Sequence, residues 1–235
     1  MPRSRWMHRT RRLAALLILA TPLAHADSWR VDLLLFEDRY NPNGAAGEIA
    51  PPSEVLDAPE AIPLDDEERL TAAGIRVLPE DAPFGLQDRW NNLLNSQRFE
   101  PVWKISWVQA DPPQFNAPQL LLRLGEPLEL PREEPRYFGD FQAQSLEENR
   151  VWPIEGLLSL TPGRYLHLAA DLSWNQPGEF GEVHRHRLKE RRRMRSGELH
   201  HIDSPRFGLL VRIEAWKEPE PEPTEEPGPT PAPGR

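Results

Sequence analysis

Residues 165–174, YLHLAADLSW, and residues 184–195, HRHRLKERRRMR, decide the fold of this chain. In the first stretch Leu166, Leu168, Ala170, Leu172 and Trp174 fall on one side of an extended chain, and Tyr165, His167, Asp171 and Ser173 fall on the other. A period of two is the mark of a strand with one buried face. In the second stretch the odd positions Arg185, Arg187, Lys189, Arg191, Arg193 and Arg195 are all cationic. The even positions, among them Leu188 and Met194, make a mixed face that lies partly on the core. Asn175-Gln176-Pro177-Gly178 between them is turn chemistry, so the two stretches form an antiparallel hairpin.

A loop centred near residue 179 sets Asp171 opposite Arg187, His167 opposite Arg191 and Tyr165 opposite Arg193. A slip of the register by any even number keeps the polar face of one strand against the cationic face of the other. Working outward, Ile154 to Leu160 precedes the hairpin across a Thr161-Pro162-Gly163-Arg164 turn, and Phe207 to Trp216 follows it, again with alternation. Residues 151–216 therefore read as an antiparallel β-meander.

Residues 27–150 read as an N-terminal α+β region, a β-loop-α-β unit. Trp29 to Phe36 is apolar on both faces and is expected to be a central strand. Asn41 to Pro63 reads as a long loop, and Asp65 to Ala73 as a short helix with acids in its first turn. Leu86, Trp90, Leu93 and Leu94 recur with the spacing of one helix face, and Trp103, Ile105 and Trp107 alternate as the next strand. Proline-rich stretches flank a further strand over Gln119 to Leu124, and a boundary is placed near residue 150. The fold class expected is thus α+β.

The ends of the chain carry a different message. Arg3, Arg5, Arg9, Arg11 and Arg12 precede an apolar run from Leu13 to Leu23 and then Ala24-His25-Ala26. This is the order of a Sec-type signal peptide, residues 1–26, with cleavage after Ala26. The apolar run is short of the ~20 residues a spanning helix needs, so no membrane span is expected after processing. Residues 217–235, KEPEPEPTEEPGPTPAPGR, hold no apolar residue larger than Ala and read as a disordered Pro/Glu-rich tail. With no cysteine anywhere, neither a lipid on cysteine nor a disulfide framework is available.

Loss of five arginines leaves 23 basic residues against 37 acidic ones, so the processed chain carries a formal charge of −14 rather than −9. That field disfavours nucleic acid. Six cations on one strand face repel one another unless anions answer them. Either the chain neutralises them with its own carboxylates, or they form a docking face for carboxylates or phosphates, which the planar fork of arginine binds bidentately. The candidate binding residues are Tyr165, His167, Arg185, Arg187, Arg191, Arg193 and Arg195.

Metal and catalytic signals are thin. His184 and His186 share a strand face and His200-His201 lies further on, but no HExxH pattern is present and no metal or other cofactor is expected. There is no G-x-S-x-G elbow, cysteine nucleophile or phosphate loop, and Glu198 and Asp203 are the only nominees for an acid pair. No enzymatic activity is expected.

The run Arg192-Arg193-Met194-Arg195-Ser196-Gly197-Glu198-Leu199-His200, followed by Asp203, Pro205 and Phe207-Gly208-Leu209-Leu210-Val211-Arg212-Ile213, resembles the CsiV family of periplasmic proteins. Arg164-Tyr165-Leu166-His167-Leu168 and Val31-Asp32-Leu33-Leu34-Leu35-Phe36 carry the same resemblance. It implies a periplasmic peptidoglycan-binding protein that promotes cell-wall synthesis with a class A penicillin-binding protein and its outer-membrane lipoprotein activator. It supplies no binding residues. His201 and the long tail depart from the family pattern. A peptidoglycan hydrolase and a protein adaptor without glycan contact are the alternatives.

Overall fold

The computed structural model describes residues 28–40, 48–49, 56–110, 117–130 and 150–217. The segment expected to be a signal peptide, residues 1–26, and residues 218–235 lie outside them. Thirteen strands and two short helices follow one another among the described residues. They are β1 (Ser28–Asp38), β2 (Glu48–Ile49), β3 (Ile62–Pro63), α1 (Glu67–Ala72), β4 (Ile75–Val77), α2 (Gln87–Leu94) and β5 (Phe99–Ala110). After these come β6 (Leu120–Leu124), β7 (Leu128–Glu129), β8 (Arg150–Val151), β9 (Ile154–Thr161), β10 (Leu166–Pro177), β11 (Val183–Met194), β12 (Leu199–Asp203) and β13 (Phe207–Ala215).

One sheet has the order β12-β13-β1-β5-β4, and a second has the order β2-β11-β10-β9-β6-β3. β7 and β8 form a separate two-stranded ribbon. Among the described residues the balance lies further toward strand than the α+β expectation, with helix only in α1 and α2. Strands from both sides of residue 150 enter each main sheet: β13 pairs with β1, and β6 pairs with β9.

β1 shows why the two sheets meet. Its residues Val31, Leu33 and Leu35 join Trp107, Phe207, Leu209, Val211 and Ile213 of their own sheet in one buried cluster. Leu122, Leu158, Leu160, Leu168, Leu172 and Leu188 of the other sheet complete that cluster. Trp174 and Phe207 touch across it with ring centroids 5.7 Å apart, and Nε2 of Gln109 donates to the Leu160 carbonyl at 3.1 Å. Each fully buried leucine contributes about 2 kcal/mol of transfer free energy.

The second apolar face of β1 is buried as well, because α2 covers it. Leu34 and Phe36 pack with Phe84, Leu86, Trp90 and Leu93 in a smaller cluster on the outside of the sheet. Between those layers Asp32 is fully buried and fully answered: it accepts from the Arg30 guanidinium at 2.9 Å, from the Ser106 hydroxyl and from the Gly85 N–H at 3.2 Å. This network ties the loop before α2 to the middle of the sheet.

Candidate functional site

β9, β10 and β11 are consecutive antiparallel neighbours, and their outer face carries the residues the sequence singles out. The hairpin register differs from the expected one by two residues. Asp171 lies opposite Lys189, His167 opposite Arg193, and Ser173 opposite Arg187. The reason is the turn: the Gly178 N–H bonds to the Glu182 carbonyl at 2.7 Å and centres the loop at residue 180 rather than 179. Parity survives the slip, so polar side chains still face cations.

The cationic face is graded along its length. At one end Arg185 is withdrawn, with its side chain 10% exposed. Its Nε donates to Oδ1 of Asn175 at 2.9 Å, and a terminal nitrogen lies 3.9 Å from Glu155. Strand β2 runs beside it, paired at His184 and Arg185, and the contacts with Asn175 and Glu155 draw this outward position partly inside. Burial pushes the Glu155 carboxyl above its usual range, against the pull of the Trp152 N–H, Arg185, Arg123 and Asn175.

The middle of the face is neutralised from within. Arg187 makes a bidentate pair with Asp171 at 2.8 and 2.9 Å, and the Lys189 ammonium reaches the same carboxylate at 3.0 Å. Burial opposes the charge on Asp171, but these two cations outweigh it and hold the carboxyl below its ordinary value.

The far end is open. Arg191 is exposed and makes no ion pair with any described residue. Arg193 is exposed too, and its guanidinium lies over the Tyr165 ring at 4.3 Å, while that of Arg164 approaches the same ring at 5.7 Å. His167 lies between β9 and Arg193, opposite Thr161 on one side and Arg193 on the other. Arg195, beyond the strand, pairs loosely with Glu198 at 3.6 Å. Next to the open end the small residues Ser159 and Ala169 leave a shallow hollow of about 300 Å³ walled by Asp171, Lys189 and Arg191. Arg191 and Arg193 stand about 7 Å apart along the strand.

The other nominated residues are placed elsewhere. Glu198 is shared between Arg195 and His200, and Asp203 ends β12 opposite Gly208. His186 is buried opposite Trp174, its pKa lowered by burial and then by the charges of Arg206 and His184. His184 bonds Glu182 at 3.2 Å, and the His201 ring packs on Phe36. Sequence reasoning missed the Glu155–Asn175–Arg185 cluster and the contact of Arg164 with Tyr165. Glu155 lay in a segment read only as a strand, and nothing local marks its partner twenty residues on.

A family model described as "Peptidoglycan-binding protein, CsiV" matches residues 12–216 of the chain. Neither the curated proteins nor the solved structures searched contain a match to it.

Proposed function

We propose, from the premise that this chain belongs to the CsiV family of peptidoglycan-binding proteins, that it holds the polymer on the outer face of β10 and β11. The observation that carries this reading is the graded face itself. Asp171 answers Arg187 and Lys189, whereas Arg191 and Arg193 reach solvent without an acidic partner among the described residues. In a processed chain of charge −14, two guanidinium groups left unanswered beside a hollow form a local site for anions.

The peptide stems of peptidoglycan present carboxylates on an extended, repeating chain. Arg191 and Arg193 bind such groups bidentately. Tyr165 keeps Arg193 extended across its ring and adds an apolar plane, and His167 supplies a further ring nitrogen. Arg185 and Arg187 support the strand from within, and Arg195 stands at the margin of the surface.

The protein acts in the periplasm after removal of residues 1–26, as a binding factor without enzymatic activity of its own. It promotes wall synthesis by assisting a class A penicillin-binding protein and its outer-membrane lipoprotein activator, and in that way influences cell shape. Co-sedimentation with purified sacculi, with and without charge reversal at Arg191 and Arg193, tests the binding surface. Stimulation of glycan polymerisation by the synthase and its activator, measured with and without the protein, tests the role.

A further inference from the structure

Among the described residues, the two sheets leave an open edge where β4 and β3 end them. β4 covers β5 only from Trp107 to Gln109, extended by one bond from the Leu78 N–H to the Ser106 carbonyl. β3 likewise covers β6 only at Leu120 and Leu121. Between these edges runs a groove of about 920 Å³ whose aromatic walls are Phe84, Trp90, Trp103 and Trp152. Two cations, each backed by rings, and two acids, Asp65 and Glu80, line it. Lys104 lies 5.2 Å from the Phe84 centroid and 5.3 Å from that of Trp90, and Arg123 lies 4.0 Å from that of Trp152. Lys104 donates to Oε1 of Gln87 at 3.1 Å and makes no ion pair with a described residue, while Arg123 lies opposite Glu155 and pulls on its carboxylate.

The C-terminal end of β13 comes out beside this groove. The Trp216 N–H bonds to the Ser28 carbonyl at 2.9 Å, and the Arg30 guanidinium lies 5.6 Å from the Trp216 ring. The same guanidinium donates to the Pro83 carbonyl, between Ala82 and Phe84 of the groove wall. One side chain thus separates the start of the tail from the groove. Residues 218–235 carry seven prolines and five glutamates, with Glu218-Pro219-Glu220-Pro221-Glu222-Pro223 alternating strictly.

We propose that the tail, residues 218–235, is the occupant of this groove. Proline-rich chain is already extended, so docking costs it little conformational entropy, and its rings pack on tryptophan faces. Its glutamates meet Lys104, which has no acidic partner among the described residues, and the exposed end of Arg123. Eighteen residues at about 3.1 Å each span about 55 Å, ample to run along the groove. The tether also raises the local concentration of the tail to the millimolar range expected for a short linker. Its docking covers aromatic surface that would otherwise be open to association.

The chain has no cysteine, so Thr224→Cys gives one attachment point for a nitroxide. The measurement is the intensity of the indole Nε1–H signals in the processed, isotope-labelled protein, assigned by single Trp→Phe substitutions. The signals of Trp90, Trp103 and Trp152 are expected to lose intensity selectively, while that of Trp107, on the buried inner face, keeps it. Lys104→Glu, checked for an unchanged melting temperature, is expected to restore them. Uniform loss over all indoles, selective loss at other tryptophans, or no recovery with Lys104→Glu would overturn the proposal. Equal loss when nitroxide-labelled and isotope-labelled chains are mixed would assign the groove to a second molecule's tail and overturn the intramolecular assignment. Groove signals that respond to peptide-free glycan strands and ignore the nitroxide would make the groove a sugar site instead. No peptidoglycan enters the main measurement, so its outcome is independent of the binding role of β10 and β11.

Discussion

The guanidinium carbon of Arg193 stands 4.3 Å from the centroid of the Tyr165 ring. This contact belongs to the end of the cationic strand that the carboxylates of the described residues leave unanswered. A guanidinium stacked on an aromatic face keeps its edge nitrogens available to a ligand and loses less freedom on binding.

Tyr165→Leu keeps the apolar bulk and removes the ring. The cation–π contact contributes roughly 0.5–1 kcal/mol at an exposed site, so affinity for sacculi is expected to fall about two- to fivefold with little change in melting temperature. Titration of soluble, peptide-bearing wall fragments against the variant measures it.

Asp171→Asn tests the internal neutralisation. Lys189 loses its carboxylate and can meet an external anion, so binding to sacculi is expected to strengthen and to depend more steeply on salt. Weaker or unchanged binding across a salt series would remove Asp171 from the role of internal competitor.

The same carboxylate predicts a pH dependence. The folded-state pKa of Asp171 is depressed, so its stabilising effect is present above the unfolded value of about 3.8 and is lost as pH falls through the lower folded value. Glu155 works in the opposite sense. Its folded pKa is raised above 4.5, so its protonated form favours folding and that benefit fades as pH rises through the folded value. Melting temperatures of Asp171→Asn and Glu155→Gln followed from pH 3 to 7 should each lose the corresponding slope relative to the unsubstituted protein.

A methyl group at Gly85 would collide with the Asp32 carboxylate, which Arg30 and Ser106 hold in place. Gly85→Ala is expected to cost about 1–3 kcal/mol in denaturant unfolding. Asp32→Ala strands the buried end of the Arg30 guanidinium and costs about 3 kcal/mol or more. Combined, the two substitutions should cost clearly less than their sum, because removing the carboxylate removes the collision.

Much of this was legible in the residues themselves. Strict alternation in residues 166–174 exposes β10, and the two apolar faces of Val31 to Phe36 identify a strand that β13, β5 and α2 enclose. Which strands lie beside it was not legible, since pairing of β1 with a strand starting at residue 207 is a global choice. β12 escaped because Leu199–Asp203 buries only Ile202 and shows no apolar pattern. β3 and β4, of two and three residues, are too short to show a period.

The candidate site was legible in parity but not in strength. Odd positions of β11 do share one face, yet alternation alone cannot say that β2 lies alongside Arg185 or that Asp171 holds both Arg187 and Lys189. Only the three-dimensional neighbours separate the two cations available to a ligand from those already engaged.

The most direct test of the account is co-sedimentation with purified sacculi of the processed protein, its Arg191→Glu/Arg193→Glu variant and an Arg89→Glu control on α2. Two charge reversals at the open end are expected to weaken binding at least tenfold, or about 1.4 kcal/mol, with the control and the melting temperature unaffected. Equal sedimentation of the folded double variant and the unsubstituted protein would contradict the assignment of the binding surface to β10 and β11.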